Sequence, residues 1–297
     1  MKRTRLIVLT LGLSTAGVFA TGNELHVTSI QQTNNGIPLP MQTGISTDPR
    51  LDPFYADMME AMPPQQRAEQ ALQMAINRSA GATDYVTLNA EHWRGQLKSD
   101  ERLAAIILVA MNSPRLEIRM AGFEVQLAID GVAKTPQEVE HLIQRLHEDP
   151  RGVGPWELWH LAVLGARGVD RERIFSVLVA NTRDDSYELR RWAVVALGMF
   201  GGAGVIDPLL STAANDRVPS IRETAFCALA QSATLQLAER YRAIPGLLAI
   251  AQDLGSDQQN IDWSYQALRE ITNIRDLPEE PTAWRARLQS LRLLSRP

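Results

Sequence analysis

The sequence has one cysteine, Cys227, in 297 residues. A lone thiol excludes an intrachain disulfide and excludes zinc sites built from several cysteines. Cys227 is expected to be a small buried residue on a helix, with an intermolecular disulfide as the alternative. Aromatic residues are few, at 6%. No basic run of more than a few residues occurs beyond the extreme N-terminus, so a groove for nucleic-acid phosphates is not expected. No later stretch is long and apolar enough to span a bilayer, which takes about 20 residues.

Catalytic and metal motifs are also missing. HExxH and GxSxG do not occur. His141 and His147 would project about 120° apart round a helix, poor geometry for one ion. The run Gly198 to Gly204 lacks the Gly-Lys-Ser/Thr ending of a phosphate loop and reads as a helix end plus a turn. Glu279-Glu280 and Asp184-Asp185 lie in turn-like surroundings, where solvated caps explain them. No residue is therefore assigned a catalytic, cofactor-binding or metal-binding role.

What is present favours helices. The chain is 45% hydrophobic and 22% charged, a folded and soluble balance. Ala and Leu are plentiful, and both lose little side-chain freedom in a helix.

Residues 1–20 read as a secretory signal peptide. Lys2, Arg3 and Arg5 precede the uncharged stretch Leu6 to Phe19, and Val18-Phe19-Ala20 places small residues where cleavage needs them. That stretch is short for a retained span, and no cysteine follows it for lipid attachment. Cleavage after Ala20 would remove three basic residues. The formal net charge of −4 then becomes about −7, further from nucleic acid. Export, periplasmic or secreted, is the expected location. Residues 21–64 are rich in Thr, Asn, Gln, Gly and Pro and are expected to be a flexible polar leader. Residues 65–99 are read as an N-terminal capping and connecting region.

From about Gln65 onward the pattern is helix, short break, helix, with apolar residues at i, i+3, i+4, i+7 and i+8; Gln65 to Asn77 reads as a helix, while residues 81–93 carry no repeat signature. The segments LRRWAVVAL and IRETAFCAL superimpose at an offset of 32 residues. The leading apolar position recurs at Ile118, Trp156, Leu189 and Ile221, and Arg119, Arg190 and Arg222 follow three of these. Glu157 stands in the fourth copy. Five helix pairs are predicted: 100–112 with 115–129, 135–148 with 155–167, 171–183 with 187–199, 203–215 with 219–231, and 243–254 with 260–273. A lone pair cannot cover its own apolar faces, so the pairs should stack.

These residues make the body resemble the HEAT-repeat family, especially its short bacterial type. Asp184 precedes Leu189-Arg190 and Asp216 precedes Ile221-Arg222 with matching spacing, as in that family. The resemblance implies an all-α solenoid of about five stacked antiparallel helix pairs with terminal cap helices. It implies a capping ladder of Asp184, Arg190, Asp216 and Arg222. Ser113 stands where Arg119 would need an acid, so the ladder is expected to stop there. Trp284 would anchor the C-terminal cap. His160, between Trp156 and Trp159, is expected to be a hydrogen-bonded core histidine.

The same resemblance implies a non-catalytic exported scaffold that binds a protein partner on its concave side. Glu188, Arg191, Glu223 and Asp262 are candidates for exposed positions there. Two alternatives stand beside this reading. One is an enzyme, since relatives of the fold include bilin lyases and alkylpurine DNA glycosylases. The other is a purely structural domain of an exported assembly. The leader and the acidic charge speak against both enzyme types.

Overall fold

A computed structural model of the protein describes residues 51–232 and 234–294. The expected signal peptide, and residues 21–50 of the expected leader, lie outside the described residues. Among those described there are fifteen α-helices, one 3-10 turn at Ala203–Val205 and no strand.

Twelve of the helices form six successive pairs: α2 (Pro64–Ile76) with α3 (Ala82–Trp93), α4 (Glu101–Met111) with α5 (Leu116–Asp130), α6 (Pro136–Glu148) with α7 (Gly154–Ala166), α8 (Arg171–Asn181) with α9 (Tyr187–Phe200), α10 (Ile206–Asn215) with α11 (Pro219–Gln231), and α13 (Ile244–Gln252) with α14 (Gln258–Thr272). The short α12 (Leu237–Tyr241) precedes the last pair, and α1 (Pro53–Glu60) and α15 (Pro281–Ser290) close the ends. The five expected pairs are all present. The chain is a helical solenoid.

Local chemistry sets the helix ends. Asp100 accepts from the Leu103 N–H at 2.8 Å, Thr135 from Glu138 at 3.2 Å and Asp257 from Asn260 at 2.9 Å. Each satisfies a donor that the first helical turn leaves free. Proline opens α1, α2, α6 and α11, where its missing N–H costs nothing. Gly201 ends α9 at φ +66°, a conformation that side chains resist.

Two stretches are more ordered than the sequence suggested. Inside the expected leader, Asp52 caps α1 by accepting from the Phe54 N–H at 2.9 Å. Tyr55 and Met59, one turn apart, are then buried as α1 packs on α2. In the expected capping region, α2 and α3 form a sixth pair. Val86, Ala90 and Trp93 are buried, and α3 packs on α5 as the later second helices pack on one another.

At the far end Trp284 of α15 is fully buried, as expected of an anchor. It lies near the Tyr265 ring and donates its indole N–H to the Pro278 carbonyl at 3.0 Å.

The second helices pack closely: α3 on α5, α7 on α9, α9 on α11, and α11 on α14. The first helices approach one another less, with α2 meeting α4 and α10 only brushing α13. Tighter spacing on one side curves the stack toward that side. The second helices therefore line the concave side. Gly198 of α9 permits part of this approach, because a Cβ there would stand 3.2 Å from the Ala228 Cβ of α11.

Candidate binding surface

The ladder at the turn edge is built as the Asp and Arg spacing suggests. Arg190 donates Nε to Asp216 Oδ2 at 2.8 Å, and its Nη1 reaches the Asp184 carbonyl at 2.9 Å. Each arginine thus ties its own turn to the next one. Arg222 repeats the pattern, holding the Asp216 carbonyl at 3.1 Å and the Asp257 carboxylate at 2.6 Å. Arg222 Nε also donates to Asn260 Oδ1 at 2.8 Å, and neither Asp257 nor Asn260 was legible as a ladder member. The insertion of α12 places Asp257 well beyond the 32-residue offset from Asp216.

Asp184 uses its carboxylate differently. It accepts from the Ser186 N–H at 2.7 Å within its own turn. The preceding repeat offers Glu157, not an arginine, at the ladder position. Arg119 keeps the own-turn half of the pattern and donates to the Ser113 carbonyl at 2.5 Å. A backbone oxygen suffices there, so the serine does not abolish it.

A second tie runs along the opposite edge. Arg171, the first residue of α8, donates to the carbonyls of Gly165 and Gly201 at 2.7 Å each, and its guanidinium lies over the Phe200 ring. Arg240 does the same for α11, reaching the Ala230 carbonyl at 2.8 Å and the Ser232 carbonyl at 2.6 Å. Both cations sit where helices end in free carbonyls and a negative dipole end.

The joint between α5 and α7 differs from the other joints. The backbones of these second helices stand farther apart than those of α7 and α9, and long side chains bridge the space. Phe123 of α5 meets Trp159 of α7 edge to face, centroids 5.9 Å apart. Glu124, 1% exposed, takes Lys134 Nζ at 2.9 Å and Arg167 Nε at 2.5 Å. Arg145 grips Glu157 with two nitrogens at 2.9 and 3.2 Å.

His160 completes this network, buried and flanked by the rings of Trp156 and Trp159. Its Nε2 is 3.0 Å from Asp130 on α5, and its Nδ1 is 3.5 Å from Glu157. Burial disfavours the charged ring, but the hydrogen bonds and charges of Asp130 and Glu157 outweigh it and raise the pKa. Burial likewise works against the Glu157 carboxylate, yet His160 and Arg145 prevail and lower its pKa. The histidine is thus a hydrogen-bonded interior residue, as its flanking tryptophans suggested.

The remaining candidates scatter. His141 and His147 lie exposed on α6. Glu279 accepts from Arg269 at 3.0 Å. Gly198 lies within α9, and Gly201 and Gly202 form the turn that follows. Among the described residues no group of three or more His, Cys, Asp or Glu could hold a metal ion. A groove of about 540 Å³ runs along the turn edge between α8 and α10. Its charged lining is largely spent on the ladder, since Arg190 and Asp216 pair there and Arg217 donates to the Asp185 carbonyl at 2.8 Å.

The concave side offers a different surface. Glu188, Arg191, Glu223 and Asp262 are all exposed on α9, α11 and α14, as expected. Between them Trp192 and Trp263 are only half-buried. Trp263 leans on Phe226 with centroids 6.0 Å apart. Thr224 stands 32 residues after Trp192, and Cys227 follows one turn later, half-buried on the same helix. The apolar spacing of LRRWAVVAL places Trp192 in the core-facing set with Leu189 and Ala193, whereas the structure leaves it only partly buried, and Trp263 drew no reading from the sequence. Their signal was a large aromatic residue beside each exposed charge at Arg191-Trp192 and Asp262-Trp263.

No helix among the described residues is long and apolar enough to cross a membrane. Among curated proteins none matches the chain. A family model for HEAT repeats matches residues 139–230, from the first turn of α6 almost to the end of α11. With the paired helices, their stacking and the arginine ladder, that match identifies residues 139–230 as HEAT repeats and supports reading the chain as a HEAT-repeat protein.

Proposed function

We propose that the chain is a non-catalytic exported scaffold that holds a protein partner along its concave row of second helices. One observation carries this reading: Trp192 and Trp263 remain half-exposed on that side, amid exposed charges on three successive helices. Aromatic anchors ringed by polar groups are the residues on which protein interfaces concentrate their binding energy. The buried charges, by contrast, pair with one another at the ladder and at the α5–α7 joint, which is structural use.

Export rests on the Met1 to Ala20 segment. The intact mass of the protein recovered from its producing cell tests it. A chain beginning at Thr21 supports export, and a retained Met1 contradicts it.

Binding is tested by quantitative co-isolation from the same cells. Thr224→Arg and Gln266→Arg place bulky charge on the concave side without touching the core. Loss of a co-isolating protein with both variants supports the reading. Equal recovery with wild type and both variants contradicts it.

A further inference from the structure

We propose that the concave strip of α9, α11 and α14 receives a basic, extended segment of the partner, with an arginine side chain seated over Trp263 beside Glu223 and Asp262. This rests on the concave side being the binding face and specifies the chemistry of what it binds.

The strip carries carboxylates that the protein itself leaves uncompensated. Among the described residues the ion pairs engage other acids, Glu124, Glu157, Asp216 and Asp257 among them. Asp262 accepts only the neutral amide of Gln258, at 2.7 Å. Glu188, Glu223 and Asp262 are exposed, one on each helix. Glu223 and Glu270 also bear on Cys227 between them: burial first, then these two charges, push its thiol up to about 11.

The strip also shows how it holds a cation. Its own Arg191 places the guanidinium 5.8 Å from the Trp192 ring centroid, within the range of a cation–π contact. Trp263 is the second half-exposed tryptophan of the strip, with Asp262 next to it in sequence. Among the described residues, the cations lying over rings are Arg171 on Phe200 and Arg191 on Trp192. A ring face beside carboxylates suits a planar guanidinium better than an ammonium, because the guanidinium stacks and hydrogen-bonds at once. An extended segment fits because Arg191, Glu223 and Asp262 hold corresponding places on α9, α11 and α14, so a segment crossing the three helices meets the two carboxylates in line on α11 and α14, with Glu188 one turn away on α9.

The test uses the full chain and three synthetic peptides of about ten residues, in which leucine alternates with arginine, glutamate or serine. Binding is followed by tryptophan fluorescence and by calorimetry. The arginine peptide should bind saturably and should weaken as salt rises from about 0.05 to about 0.5 M. Neutralising the strip with Glu223→Gln and Asp262→Asn together should weaken it about tenfold. The same neutralisation on the first-helix side, Glu172→Gln with Glu101→Gln, should leave it unchanged. Equal binding of the glutamate peptide, absence of saturable binding, or equal loss with both pairs of variants would overturn the proposal. If co-isolation still depends on Thr224 and Gln266 while the arginine peptide is ignored, the face binds a partner of other chemistry. If co-isolation is also insensitive, the binding face itself is misplaced.

Discussion

Arg190 and Asp216 form a buried ion pair across two repeats, Nε to Oδ2 at 2.8 Å with each side chain 5% exposed. The pair joins the start of α9 to the turn before α11, and two carbonyl acceptors complete the guanidinium. Removing one partner of such a pair strands the other charge. Asp216→Ala should therefore destabilise the chain by about 3 kcal/mol. Replacing both, with Arg190→Met and Asp216→Leu, should cost less than the single change. Urea unfolding of the three proteins checks the order. A double variant weaker than Asp216→Ala would mean the pair contributes more than its desolvation cost.

The His160 bridge makes stability depend on pH with a definite sign. Its folded pKa lies above the ordinary histidine value of about 6.5. Its contribution is then full below about pH 6.5 and is lost as pH rises through the folded value. Glu157 works in the opposite direction: its lowered pKa gives a contribution present above about pH 4.3 and lost as pH falls through the folded value. Thermal midpoints should be highest between these limits and should fall on the alkaline side. His160→Gln should flatten the alkaline fall and also shrink the acid-side loss, because His160 stands ahead of Arg145 in holding the Glu157 pKa down. Amide protection in α5 and α7, corrected for the intrinsic rise of exchange with pH, should fall above neutral pH in the wild type, because Asp130 and His160 span that joint.

Gly165 and Gly198 hold corresponding places in α7 and α9, yet they should respond differently to alanine. A Cβ at Gly165 would collide with the Phe200 ring, whereas one at Gly198 meets Ala228 Cβ at 3.2 Å. Alanine in a helix interior gains about 1 kcal/mol over glycine, and overpacking costs about 1–3 kcal/mol. Gly165→Ala should lower the thermal midpoint clearly, while Gly198→Ala should stay close to wild type. Equal effects at the two sites would show that the Phe200 ring moves aside freely.

Cys227 should be a slow nucleophile. With its thiol pushed up to about 11, the reactive thiolate at neutral pH is on the order of a hundredfold scarcer than in a free cysteine. Iodoacetamide labelling should be correspondingly slow, and Glu223→Gln should speed it. Cys227 is half-buried, not buried as the sequence suggested, and a labelling rate equal to that of a free thiol would contradict this acid-flanked setting.

Much of the fold was legible because its signals are local. The apolar spacing of LRRWAVVAL and IRETAFCAL marked the helices, and Arg190 and Arg222 marked the repeat by their equal distance from Asp184 and Asp216. What failed to show was non-local or off-period. The α2–α3 pair carries no Asp–Arg signature, so only its buried Val86, Ala90 and Trp93 reveal it as a repeat. Glu124 and Arg167 meet across a joint, and no periodicity links residues so far apart in the chain. On the concave side the charges were visible, but the half-exposure of Trp192 and Trp263 depends on how closely α9, α11 and α14 pack. That is a property of the stack, absent from any one helix.

The most direct measurement is a photocrosslinking scan round the stack in the producing cell. A crosslinking residue is placed in turn at Glu188, Thr224 and Gln266 on the second helices, and at Glu172 and Ser176 on α8. One discrete adduct of the same mass is expected from the three concave positions and none from α8. Adducts from α8 alone, or equally from both sides, would contradict it.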